Sequence, residues 1–144
     1  MSDLELFELV LTVRDAEASG RFYAEVVGLE PIGDFGLGWA SFWVGDKAGN
    51  RWLGLRQGTL LYEEHSPLPE GNRFGPVHFA FKLPESEMEK ALERLRAHGV
   101  EVLGPERWGP GRFEGTSYYF YDLDANMLEF WFPSRAPGPS PERV

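Results

Sequence analysis

Three side chains at matching places on strand-like runs have types that could hold a metal ion: Glu8, His78 and Glu129. Glu129 interrupts the otherwise apolar run Met127–Phe132. A carboxylate there is costly to bury unless it is paired, protonated or bound to a cation. His78 sits in Val-His-Phe-Ala-Phe, another strand-like apolar run. Glu8 holds the matching place in Phe-Glu-Leu-Val-Leu-Thr-Val near the start of the chain. Two carboxylates and one imidazole leave coordination positions open, as a catalytic divalent site requires. Such a donor set favours Mn²⁺ or Fe²⁺, with Zn²⁺ and Ni²⁺ also compatible. Each residue read alone has a plainer interpretation. Glu8 fits a solvent-facing edge-strand position, His78 fits a core histidine bonded to backbone, and His65 and His98 read as solvated.

The elements that must position these residues repeat. Leu6–Val13 reads as a strand, and Asp15 as an N-cap. A helix runs to about Val27, with Ala18, Phe22 and Val26 at helical spacing and Gly28 as its stop. A loop spans 31–38, Trp39–Val44 is a strand, 45–50 a hairpin connection and Arg51–Gln57 a strand. Residues 58–75 form a loop between halves. The order then recurs: strand Pro76–Leu83, a helix opened by Pro84 at its first position, and a stripe of Met88, Ala91, Leu92 and Leu95. Gly99 ends that helix. A short strand Val100–Leu103, a loop 104–115 and a hairpin centred on Asp122–Asn126 complete the second half. Glu8 matches His78, Gly28 matches Gly99 and Gly54 matches Glu129 at a nearly constant offset. The expectation is an α+β fold, two βαβββ repeats (6–57 and 76–132) forming a curved, incomplete barrel within one domain, 6–132. A Pro-rich tail, 133–144, follows.

The bulk composition excludes several function classes. The 144 residues carry a net charge of −9 and no extended basic cluster, which argues against nucleic acid and anionic membranes as partners. The chain has no cysteine, so thiolate catalysis, zinc–thiolate sites and disulfides are excluded. No signal-like or membrane-length apolar run is present, and the default expectation is a soluble cytoplasmic protein. Aromatic residues make up 15% of the chain, which suits a wide pocket. Trp39, Trp43 and Trp52 fall on strands that would line it.

The chain resembles the vicinal oxygen chelate superfamily, which includes glyoxalase I, the fosfomycin and bleomycin resistance proteins and the extradiol dioxygenases. The resemblance is carried by Leu11-Thr12-Val13-Arg14-Asp15 with Ser19, Phe22-Tyr23 and Gly28-Leu29; by His78-Phe79-Ala80-Phe81; by Arg94–Val100; and by Tyr119–Asp124 through Glu129. It implies paired βαβββ units, a homodimer and a metal held at Glu8, His78 and Glu129. Glu8 departs from the usual His, and Gly54 stands where glyoxalase I has a fourth ligand, which disfavours a glyoxalase I. The turn Asp-Leu-Asp-Ala-Asn departs from the common Asp-Pro-Asp-Gly-Asn. Glu114-Gly115-x-Ser117-x-Tyr119-Phe120 is similar to the substrate-side segment of the fosfomycin resistance group. That group's thiol-transferring branch has a catalytic Thr where this chain has Val10. Asp46 is a poor stand-in for the base of the hydrolytic branch.

The expected function is a metal-dependent enzyme acting on a small oxygen-rich substrate by Lewis-acid catalysis. Isomerase, lyase, epoxide-opening and dioxygenase steps all fit. Glu8 doubles as a candidate base, and Tyr119, Ser117 and Arg112 are candidates to orient the substrate. The alternative is a metal-free drug-binding protein similar to the bleomycin resistance proteins, in which a cationic aromatic ligand stacks on Trp.

Overall fold

The computed structural model describes Asp3, residues 5–58 and residues 77–134. The expected linker, His65 and the Pro-rich tail beyond Ser134 lie outside the described residues. The chain falls into two compact units, Met1–Gly75 and Pro76–Val144.

In the first unit β1 (Glu8–Val13) leads into α1 (Ala16–Arg21). Asp15 caps α1 as expected, its carboxylate accepting from the Glu17 and Ala18 amides at 3.0 Å. The helix then widens to a π-helical stretch, Phe22–Val27, ended by Gly28 at φ 96. Periodicity did not anticipate this change. The buried residues are Ala16, Ser19 and Gly20, then Phe22, Tyr23, Val26 and Val27, while Ala18 is only half-buried. Next come β2 (Glu30–Pro31), β3 (Trp39–Trp43) and β4 (Trp52–Gln57). The sheet order is β1-β4-β3-β2, with β1 and β4 parallel and the other pairs antiparallel. The two-residue β2 lies at the edge of the predicted 31–38 loop.

The second unit repeats this topology. It contains β5 (His78–Lys82), α2 (Glu85–Ala97), β6 (Leu103–Trp108), β7 (Gly115–Tyr121) and β8 (Met127–Pro133), in the order β5-β8-β7-β6. Pro84 is the N-cap of α2, one place earlier than expected. Met88, Ala91, Leu92 and Leu95 are all buried, and covering each larger side chain contributes about 2 kcal/mol. They share the core of this unit with Phe120, Leu128 and Phe130. One expectation is corrected. The last strand before the hairpin is not Val100–Leu103, and 104–115 is not all loop. β6 runs through Glu106, Arg107 and Trp108. It is an exposed edge strand with a register shift between Leu103 and Glu106. That irregularity accommodates Gly104 and Pro105, which a central strand would reject.

The registers establish which positions of the two units correspond. Glu8 lies opposite Trp52 and Val10 opposite Gly54; His78 lies opposite Met127 and Ala80 opposite Glu129. Glu8 is thus the counterpart of His78, and Gly54 that of Glu129. Among the described residues, no helix is long and apolar enough to cross a membrane.

The β7–β8 turn is held by Asp122. Its Oδ1 accepts from the amides of Asp124 (2.9 Å) and Asn126 (2.8 Å), and its Oδ2 from Asn126 Nδ2 (2.9 Å). Ala125 adopts φ 65, a left-handed conformation that disfavours any Cβ. Ala125→Gly is expected to stabilise the protein by about 0.5–1 kcal/mol, the relief exceeding glycine's entropic cost. A higher urea midpoint with an unchanged slope would register this.

Candidate metal and substrate site

Strand alternation sends side chains to opposite faces. In the first unit Leu11, Val13, Ala40, Phe42, Leu53 and Leu55 are buried with the helix. The other face carries Glu8, Val10, Thr12, Trp39, Ser41, Trp43, Trp52, Gly54 and Arg56. Across the ladder, Glu8, Trp52 and Trp43 form one row. A Cβ at Gly54 would lie 2.9 Å from the Trp52 ring and 3.4 Å from that of Trp39. Two indoles therefore close over the position corresponding to Glu129, which explains the glycine there.

In the second unit the corresponding face carries His78, Ala80, Lys82, Glu129, Trp131, Tyr119 and Ser117. It opens on a cavity of about 570 Å³ whose walls include His78, Lys82, Trp108, Arg112, Phe113, Tyr119, Glu129 and Trp131. That size suits a ligand up to drug dimensions. The structure thus brings His78, Glu129, Tyr119 and Arg112 to one cavity, and Glu8, Trp39, Trp43 and Trp52 to one sheet face of the other unit.

The centre of the cavity wall is a pair of donors. His78 Nε2 stands 3.1 Å from Glu129 Oε1. The other ring nitrogen, Nδ1, is 3.1 Å from the Met127 carbonyl oxygen. A carbonyl can only accept, so Nδ1 carries the proton. In the neutral ring Nε2 then presents a lone pair to a carboxylate oxygen. Two acceptors this close need a proton or a cation between them. The remaining oxygen, Glu129 Oε2, accepts from Ser117 Oγ at 2.5 Å. Each donor is held from behind by its own partner, the arrangement that orients metal ligands. By this test the residues fit a divalent ion bound through one imidazole nitrogen and one carboxylate oxygen. Within this unit no third His, Cys, Asp or Glu completes a cluster among the described residues.

Ser117 was expected at the substrate. The structure instead places it behind Glu129, fully buried, with Trp108 Nε1 donating to it at 2.9 Å. Tyr119 does reach the cavity. Its hydroxyl donates to Glu106 in a short hydrogen bond, and its ring lies 6.1 Å from that of His78. Burial, the Glu106 hydrogen bond and the Glu129 charge push its pKa up to about 12. Tyr119 is therefore a protonated phenol throughout the neutral range. Between the unfolded pKa near 10 and the folded one near 12, the native state keeps a proton that the unfolded chain has lost. Stability should then fall as pH rises through that window. Urea unfolding of wild type and Tyr119→Phe from pH 9 to 12 checks this, with the alkaline loss smaller in the variant.

Asp46 is occupied by its turn, accepting from the Ala48 amide at 3.0 Å. Sequence reasoning did not single out Lys82, Glu106 or Trp131. Lys82 and Trp131 lie at strand spacing from His78 and Glu129, so the same period-two pattern pointed to them. The Lys82 ammonium lies 5.9 Å from the Trp131 ring centre, and the Arg112 guanidinium 5.1 Å from that of Phe113.

The sequence matches the family described as the Glyoxalase/Bleomycin resistance protein/Dioxygenase superfamily over residues 6–130. It is 30% identical over 129 residues to fosfomycin resistance protein FosX of Listeria monocytogenes, covering 86% of each chain. It is also 30% identical over 131 residues to glutathione transferase FosA of Serratia marcescens, covering 91% of this chain and 82% of that one. Among solved structures, an integron cassette protein from the mobile metagenome of V. cholerae superposes with a TM-score of 0.66 at 29% identity, covering 93% of this chain and 98% of that one. FosX from Mesorhizobium loti superposes with a TM-score of 0.62 at 25% identity, covering 93% and 95%.

Proposed function

Because the chain belongs to the Glyoxalase/Bleomycin resistance protein/Dioxygenase superfamily, we propose that it is a metal-dependent enzyme of the fosfomycin-resistance type, opening the epoxide of a small phosphonate such as fosfomycin. The observation that carries this reading is the 3.1 Å approach of His78 Nε2 to Glu129 Oε1, with Nδ1 turned to the Met127 carbonyl. Glu8 is proposed as the third ligand, supported by its correspondence to His78 in the ladder registers. A divalent ion bound there supplies Lewis acidity toward a substrate oxygen.

The chain's own residues do the rest. Arg112 and Lys82 offer positive charge in the cavity wall to an anionic phosphonate. Tyr119 keeps its proton, donating it in a hydrogen bond to Glu106, and presents a neutral phenol beside His78. The nucleophile, water or a thiol, forms a bond to one epoxide carbon as that carbon's C–O bond breaks. The nucleophile's proton ends on the released oxygen, giving an alcohol. Glu8 is the proposed base, and Trp39, Trp43 and Trp52 are proposed to contact the substrate. The working species is proposed to be a homodimer, as the family resemblance implies.

Phosphorus NMR tests this directly. With Mn²⁺ present, fosfomycin should convert to a new phosphonate resonance with water alone, with glutathione, or with both, and chelation should stop it. Unchanged fosfomycin under every nucleophile, with metal shown to be bound, would contradict the substrate assignment. A second reading, a metal-free binding protein, draws on the same pair as a simple imidazolium–carboxylate bridge beside an aromatic cavity. It requires tight ligand binding that chelators leave untouched.

A further inference from the structure

We infer that Trp108 and Ser117 form a directional positioning relay that holds the Glu129 carboxylate in place for its ion; this rests on reading Glu129 as a metal ligand. Trp108 Nε1 lies 2.9 Å from Ser117 Oγ, which lies 2.5 Å from Glu129 Oε2. An indole N–H can only donate. The Ser117 oxygen must therefore accept from Trp108, and its single proton is directed to Glu129. A rotatable hydroxyl is converted into a donor of fixed sense, bonded to a carboxylate, the stronger class of hydrogen bond.

Burial makes the relay selective. Ser117 is fully buried, and Glu129 keeps 13% of its side-chain surface exposed. With Oε2 held from behind, Oε1 is the oxygen presented to His78. Trp108, by contrast, stands on the exposed edge strand β6 and is 43% exposed. Its ring lines the 570 Å³ cavity and also a second pocket of about 380 Å³ that includes Arg107 and Glu114. The relay therefore links an aromatic wall of the cavity to the orientation of the ligand carboxylate behind it. Trp108 and Ser117 are positioning residues: neither needs to touch the ion.

The test compares wild type, Trp108→Phe, Ser117→Ala and the double variant, using Mn²⁺ binding followed by electron paramagnetic resonance. Trp108→Phe keeps an aromatic ring in the wall while removing the N–H and part of the indole, at a site exposed enough to spare the fold. Each single change should weaken Mn²⁺ binding about 10-fold. The double variant should bind like Ser117→Ala alone, because the indole acts only through the hydroxyl. Wild-type affinity in Trp108→Phe, or effects that multiply in the double variant, would overturn the relay. The hydrogen bond itself is read in metal-free protein by the Trp108 indole ¹⁵N–¹H resonance, identified by its loss in Trp108→Phe. Ser117→Ala should move it upfield and speed its solvent exchange. An unmoved resonance overturns the relay even if wild type binds no Mn²⁺, whereas a moved resonance without Mn²⁺ binding refutes the metal reading alone.

Discussion

Glu129→Gln is expected to lower metal-dependent activity by roughly 10³-fold, several kcal/mol of transition-state stabilisation, while leaving the fold intact. The reason lies in the contacts of this one carboxylate. Its Oε1 stands 3.1 Å from His78 Nε2, an approach that needs a cation or a proton between the two atoms. A glutamine amide relieves it without any cation, because its N–H can donate to Nε2 while its carbonyl accepts from Ser117. The variant should therefore bind a divalent ion at least about 100-fold more weakly, exceeding the loss typical of an outer-shell partner. Its urea midpoint should stay at or slightly above that of wild type. Activity assays with added Mn²⁺, run beside denaturation curves, separate the two effects. A variant that keeps both affinity and turnover would remove Glu129 from the site.

Gly115→Ala is expected to destabilise the protein by about 3 kcal/mol, the upper end for forcing atoms into a filled space. A Cβ at Gly115 would lie 2.2 Å from the Phe132 carbonyl oxygen and 2.6 Å from Trp131 Nε1. The backbone oxygen belongs to a strand paired along its whole length with β7 and cannot swing aside. Trp131 is itself held, its Nε1 donating to the Phe113 carbonyl at 3.2 Å. The relief must come from parting β7 from β8 at their end. Ser117 lies two residues on and would be drawn off Glu129, so metal affinity should fall along with stability. The glycine of Glu114-Gly115-x-Ser117 is thus a packing requirement that indirectly serves the site. A urea midpoint within experimental error of wild type would show that the strand end is looser than the structure has it.

What could be read from sequence followed from strong local patterns. The repeated strand–helix–strand order, the Asp15 cap, the Met88–Leu95 stripe and the turn at Asp122 are encoded in periodicity and short-range chemistry. The pairing of Glu8 with His78 and of Gly54 with Glu129 could be proposed from spacing, and the ladder registers agree. β6 could not be read, because Gly104 and Pro105 resemble a loop unless the strand is known to be an irregular edge. Losing β6 also hid Glu106, the partner of Tyr119, and the role of Trp108. Ser117 was legible as polar and near the site, but not that its hydroxyl is buried between the Trp108 indole and the Glu129 carboxylate. Side-chain direction behind a ligand depends on which strand lies alongside, information that a single run of residues does not carry.

Whether His78 and Glu129 hold a divalent ion, as proposed, is tested most directly by titration with Mn²⁺ followed by electron paramagnetic resonance. Wild-type protein should remove the free Mn²⁺ signal saturably, His78→Ala should leave that signal unchanged at the same concentrations, and Glu8→Ala should weaken binding strongly. Absence of binding to the wild type, or binding indifferent to His78, would contradict the account.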